Sequence, residues 1–125
     1  MLAKLDVSID ELDAHTEAIA LRGELDVATA SQLAKPLAQA VESGKTGVVV
    51  DLEHVTFMDS TGLMVLLNGL RRLFRKGGRL AIACTNPTVL RLFEITGTDS
   101  TFTITATREA AMAAVSAGNT PANSN

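Results

Sequence analysis

The chain has 125 residues, 46% of them hydrophobic and only 3% aromatic, with neither Trp nor Tyr, so one domain with a core of Leu, Val, Ile, Ala and four Phe is expected. Eleven basic residues against fourteen acidic ones leave a formal net charge of −3, which gives nucleic acid and anionic membranes no general attraction, and the few aromatics leave little for bases to stack on. The single cysteine, Cys84, excludes an intrachain disulfide or a thiolate metal cluster, and its neighbours Ala81, Ile82 and Ala83 make it a core residue in a reducing cytoplasm.

Leu5, Val7 and Ile9 alternate with Lys4, Asp6, Ser8 and Asp10, the period-two pattern of a strand with one wet face. Those early charges are unlike the apolar heart of a signal peptide, and the apolar stretch Gly62 to Leu67 falls far short of the roughly 20 residues that span a bilayer. Neither export nor membrane insertion is expected. Residues 11 to 15 read as a connection to a second strand around Ile19 and Leu21 that ends at Arg22-Gly23, and a link this short makes the pair a hairpin. Gly23-Glu24-Leu25-Asp26 then leads to a helix beginning near Val27 or Ala28, with Asp26 or Thr29 as its cap. Ala30, Leu33, Ala34, Leu37, Ala38 and Val41 form its apolar stripe, and Pro36 inside the pattern predicts a bend.

Gly47 to Leu52 is almost continuously apolar, as suits a central strand covered on both faces. A short connection leads to Asp59-Ser60-Thr61-Gly62 and a helix whose stripe is Leu63, Leu66, Leu67, Leu70, Leu73 and Phe74, stopped by Gly77-Gly78. Phe57 and Met58, just before it, read as core plugs. Arg79 to Thr85 is the next strand. Asn86-Pro87 opens a third helix with a capping residue and a proline at the first helical position, and Gly97 closes it. Thr101 to Thr105 is a last strand, and an Ala-rich helix follows from about Arg108 to Ser116. The expected fold is therefore α/β, with a mixed, mostly parallel sheet of about five strands that starts with a hairpin, and about four helices. One domain over residues 1–116 is expected, with a polar, disordered tail over 117–125.

Catalytic chemistry finds little support. Ser60 stands outside any Gly-x-Ser-x-Gly elbow, and His15 and His54 both fall in predicted connections, where a solvated histidine is the expected reading. There is no phosphate loop and no dinucleotide fingerprint. Asp26, Asp51 and Asp59 could share one sheet edge and would then suit magnesium, as in phospho-aspartate receiver domains, but the acidic pair and late lysine of those domains are missing. Neither a metal nor a cofactor is expected. What remains is a serine at a helix start, either a plain cap or an acceptor for phosphate, where open backbone N–H groups and the positive end of the macrodipole favour an anion.

Gly23-Glu24-Leu25-Asp26, Val48-Val49-Val50-Asp51-Leu52 and Phe57-Met58-Asp59-Ser60-Thr61-Gly62-Leu63, followed by Asn86-Pro87 and Leu90-Arg91-Leu92-Phe93-Glu94-Ile95-Thr96-Gly97, together resemble the anti-sigma factor antagonists of the STAS domain family. The resemblance spans about residues 4 to 116 and implies the STAS fold. It also implies a non-enzymatic regulator of transcription. The unphosphorylated form would bind an anti-sigma factor that is also a serine kinase, freeing a sigma factor. Phosphorylation of Ser60 by that kinase would release the complex, and a PP2C-type phosphatase would restore the active form. Asp26 matches the aspartate that lies near the phosphoserine in the family, and Asp59, Thr61, Gly62 and Met64 complete the switch neighbourhood. Met64 departs from the pattern, since many members have glycine there, and it makes the helix face beside the serine bulkier. The alternative is a stand-alone STAS subunit that docks onto a membrane transporter and is never phosphorylated; a nucleotide-binding domain is a third reading, resting only on the acidic cluster.

Overall fold

The computed structural model describes residues 4–117, so the expected tail from residue 118 onward lies outside the described residues. Its elements are β1 (Leu5–Glu11), β2 (Thr16–Leu25), α1 (Ala30–Glu42), β3 (Gly47–Met58), α2 (Ser60–Arg75), β4 (Arg79–Ala83), α3 (Pro87–Ile95), β5 (Thr103–Thr105) and α4 (Arg108–Ala117), with a 3-10 turn at Thr98–Ser100. The strands lie side by side in chain order, β1 antiparallel to β2 and every later pair parallel. Because each parallel strand is added on the same side of its predecessor, right-handed crossovers put α1, α2 and α3 on one face. That face carries the main core, where Leu21, Leu33, Val50, Leu52, Leu66 and Phe93 are all buried. On the other face α4 sets Ala111 and Val115 against Ala18, Val49, Ala81 and Ala83, small side chains that let the helix lie close to the sheet.

Local chemistry explains most boundaries. The Asn86 side chain accepts a bond from the Thr88 N–H at 2.8 Å, with Pro87 at the first helical position, and Gly97 leaves α3 at φ 74°, a left-handed conformation suited to glycine. Helix α1 runs on through Pro36, which is buried. Cys84 is buried at 3% exposure, and burial pushes its thiol pKa up, as expected of a core cysteine.

Strands β4 and β5 are each two residues shorter than the sequence suggests, ending at Ala83 and starting at Thr103, and three elements depart further from the sequence reading. Strand β2 does not stop at Gly23: this residue adopts φ 118°, shifts the register against β3 and lets the strand run on to Leu25. Helix α1 starts only at Ala30, with Thr29 at its N-cap position as one of the two expected caps; the Thr29 side chain makes no cap bond, because Asp26 and Thr29 first close a turn. The Asp26 N–H donates to Thr29 Oγ1 at 2.9 Å, the Ala28 N–H to Asp26 Oδ1 at 3.0 Å, and Thr29 Oγ1 to the Glu24 carbonyl at 2.8 Å. Strand β3 is the largest departure. It covers 12 residues, so Glu53 to Met58 is strand rather than connection. Strand β4 ends opposite Asp51 at Ala83, which leaves the second half of β3 paired with β2 alone. There the Asn86 side-chain amide donates to the Val55 carbonyl at 3.1 Å, serving a backbone group that β4 no longer reaches.

Only two of the four phenylalanines enter the core. Phe93 and Phe102 meet edge to face with ring centroids 5.5 Å apart, whereas Phe57 is 44% and Phe74 77% exposed. On α2 the buried face is Gly62, Leu63, Leu66, Gly69 and Leu73; Phe74 stands one residue, about 100°, past Leu73 and turns out of it.

Candidate functional site

The long β3 carries the chain to the end of the sheet and delivers it directly into α2. Leu25 and Met58 are register partners at the ends of β2 and β3, so the residues that follow them, Asp26 and Asp59, leave two adjacent strands at the same edge. The Asp59 N–H donates to the Leu25 carbonyl at 3.2 Å, extending the ladder by one more bond. Asp59 itself is the N-cap of α2: its Oδ1 accepts from the Thr61 N–H at 2.9 Å and the Gly62 N–H at 3.3 Å. Two of the open amides that an anion could have used are therefore already taken by a carboxylate of the chain.

Ser60 is thus the first residue inside the helix and not its cap. It is exposed, and its Oγ has no hydrogen-bond partner among the described residues. Thr61 is half-buried and contributes its N–H to the cap. Gly62 is buried where α2 crosses the end of β2: a Cβ there would stand 2.7 Å from Leu25 Cγ and 3.1 Å from Met58 Cγ, so only glycine lets the helix start this close to the sheet. Met64, about one turn beyond Ser60, is 49% exposed. Two more apolar side chains are exposed at this end, Val27 (76%), just after Asp26, and Phe57 (44%), two residues before Asp59.

Asp26 is only 8% exposed and is held by a cation. Lys4 Nζ forms an ion pair with Asp26 Oδ2 and lies 3.6 Å from Glu24 Oε1. The hydrogen bond from Lys4 is the main reason the Asp26 carboxyl sits below the usual carboxylate range; desolvation works against it, and the Ala28 N–H assists it. The same bond raises the Lys4 ammonium above its ordinary value.

The other candidate residues lie elsewhere. Asp51 sits mid-strand on β3, opposite Ala20 and Ala83, with its Oδ2 bonded to Arg108 Nε at 3.2 Å, so it does not share an edge with Asp26 and Asp59. His54 is exposed on β3 rather than in a loop, opposite Arg22. Six residues of extended chain put it roughly 20 Å of strand from Ser60, out of reach of a dyad. His15 stays in the exposed connection between β1 and β2.

A model of the STAS domain matches residues 11–111. The chain belongs to the STAS domain family. The Bordetella bronchiseptica protein BtrV, assigned as an anti-sigma factor antagonist, is 36% identical over 110 residues, covering 88% of this STAS chain and 94% of its own length. Among solved structures, an anti-sigma factor antagonist from Mycobacterium paratuberculosis aligns with a TM-score of 0.82 at 27% identity, over 90% of this chain and 94% of that one. The antagonist SpoIIAA in its unphosphorylated form aligns with a TM-score of 0.77 at 27% identity, over 90% of this chain and 97% of its own. The phosphorylated form of SpoIIAA, a cell fate determinant of Bacillus, gives 0.70 at 26% identity, over 88% and 99%. The five-strand mixed sheet and four helices of this chain match that fold.

Sequence reasoning missed Lys4, Val27 and Phe57 at this edge of the STAS chain. Lys4 could have been found: the β1–β2 hairpin puts it beside Glu24, whose N–H donates to the Lys4 carbonyl at 2.9 Å, two residues from Asp26. Phe57 carried no such signal, because its face depends on the register shifts between β2 and β3, where β3 carries the extra residues.

Proposed function

We propose that this chain is an anti-sigma factor antagonist, a non-enzymatic binding protein whose contact with an anti-sigma factor serine kinase is broken by phosphorylation of Ser60 and restored by a PP2C-type phosphatase. The observation that carries the reading is the position of Ser60, exposed and with its hydroxyl unbonded among the described residues, at an edge that also exposes Val27, Phe57 and Met64. Apolar side chains left in water at such an edge suit a protein interface, and a serine among them is accessible to a kinase. The relatives named as anti-sigma factor antagonists, and the existence of SpoIIAA in both phosphorylated and unphosphorylated forms, support it.

The chemistry of the edge gives the switch its direction. Phosphate adds about −1.5 to −2 charge at neutral pH. The macrodipole at the start of α2 favours that charge, but Asp59 already fills two of the helix amides, and its carboxylate and that of Asp26 repel a second anion. Lys4 neutralises part of this by holding Asp26. In water these terms nearly cancel. Inside an interface, an unmatched and desolvated dianion instead costs several kcal/mol, enough to release the partner.

The decisive experiment is to incubate the chain with serine-kinase anti-sigma factors and ATP, read intact mass, and measure complex formation by calorimetry. One added phosphate, lost in Ser60→Ala, together with binding by the unphosphorylated form only, is the expected result. No mass shift with any such kinase would defeat the reading and favour a subunit that docks on a transporter.

A further inference from the structure

Charge is distributed very unevenly along this chain. Between Asp59 and Glu94 the sequence carries Arg71, Arg72, Arg75, Lys76, Arg79 and Arg91 and no acidic residue, while all fourteen acids of a chain with net charge −3 lie outside that stretch. The fold gathers five of these cations at the C-terminal end of α2 and the turn into β4. Arg72 lies 3.6 Å from Glu42, but Arg71, Arg75 and Arg79 are exposed and form no ion pair among the described residues. The macrodipole accounts for cations in the last turn of a helix. It does not account for Arg71, which precedes that turn, or for Arg79, which follows the helix.

This ridge also borders a groove. Between α1 and α2 lies an open channel of about 440 Å³ whose floor includes Leu37, Ala38, Val65 and Gly69 and whose rim is Arg71, Arg72 and Arg75. Its depth comes from close helix contact: a Cβ on Gly69 would stand 2.4 Å from Leu37 Cδ2. A trough with an apolar floor and an arginine rim has the complement of an amphipathic helix whose charged face is acidic; Phe74 lies on the other side of this rim, beside Leu70 and Thr101. Nucleic acid would use the cations but not the floor, and the net negative charge of the whole chain opposes it. A membrane would use Phe74 but not a channel recessed between two helices.

We propose that the α1–α2 groove and its rim of Arg71, Arg72 and Arg75 form a second docking surface, for an acidic amphipathic helix of a protein partner. The groove starts at Val65, near the serine edge, but the cations that would hold the partner, Arg71 to Arg75, stand 11 to 15 residues beyond Ser60, about 16 to 22 Å along α2, so docking is expected to work in either phosphorylation state.

The test is fluorescence anisotropy with a labelled helical peptide of Glu, Leu and Ala whose acids lie on one face, titrated with the full chain at two salt concentrations. Arg71→Glu/Arg75→Glu is expected to weaken binding by about tenfold or more, and Phe74→Ala, on the other side of α2, to leave it unchanged, with unaltered far-ultraviolet dichroism in both. Ser60→Glu is expected to leave it intact, and added salt to weaken it. Failure of the wild-type chain to bind the peptide, or unchanged affinity in the charge-reversed variant, would overturn the proposal. So would equal binding of a peptide with Gln in place of Glu, or tighter binding of a DNA duplex or of anionic phosphatidylglycerol vesicles.

Discussion

Gly62 shows how one missing atom positions the candidate site. With Leu25 fully buried and Met58 at 5% exposure, neither neighbour has room to retreat from a methyl group at this position. Alanine would favour the helix by up to about 1 kcal/mol, but overpacking a closed contact costs about 1 to 3 kcal/mol. Gly62→Ala is therefore expected to lower the urea midpoint and to weaken partner binding by shifting the start of α2; a variant as stable as the parent would show that the contact is loose. Lys4 and Asp26 make a second prediction at this scale. A depressed Asp26 pKa means that its contribution is present above the ordinary carboxylate value and is lost as pH falls through the folded one. A raised Lys4 pKa means the converse, a contribution present below the ordinary ammonium value and lost as pH rises through the folded one. The stability gap between the parent and Lys4→Met should then be flat from about pH 5 to about pH 9 and close at both ends. A gap that widens in acid would contradict this pairing.

At the scale of elements, the connection from β3 into α2 decides the geometry, and Asp59 fixes it. Replacing it with alanine leaves the Thr61 and Gly62 N–H groups without their acceptor and is expected to cost about 1 kcal/mol, whereas Asp59→Asn keeps an acceptor and most of the stability. Denaturant titration with an unchanged slope would measure both; equal losses would mean that charge rather than hydrogen bonding holds the helix start. The same connection marks the limit of what the sequence discloses. The strand character of β1, although its Ile9 is 49% exposed, the apolar run that opens β3, and the Asn86-Pro87 and Gly97 punctuation of α3 were all legible, because each is a local pattern with a local cause. The second half of β3 was not: Glu53 to Met58 mixes charged, polar and apolar residues, since β4 has already ended and only β2 pairs with it. Ser60 and Asp26 were legible as members of a motif, but which of Asp59 and Ser60 caps α2 was settled only by geometry. The exposure of Phe57 follows from a register shift across two strands, and no single stretch of sequence encodes that.

At the scale of the whole molecule, the core and the candidate switch are mechanically separate. The main core lies between the sheet and the helices α1, α2 and α3, while Ser60 is exposed at the end of the sheet with no side-chain hydrogen bond among the described residues. Phosphorylation would take the net charge from −3 to about −5 without displacing a buried group. The opposing terms at the helix start, a favourable macrodipole against two nearby carboxylates, leave a net effect on folding of about 1 kcal/mol or less. For a domain of this size that corresponds to a change in melting temperature within about 5 °C. An interface that must desolvate the phosphate has no such cancellation, so affinity for the unphosphorylated form's partner is expected to fall by about a hundredfold or more. Calorimetric melts of homogeneous phosphorylated and unphosphorylated chains, paired with titrations of the same samples into an anti-sigma factor, separate the two effects. A melting difference of tens of degrees would mean that phosphate acts by unfolding the domain, and the separation of switch from core would be wrong.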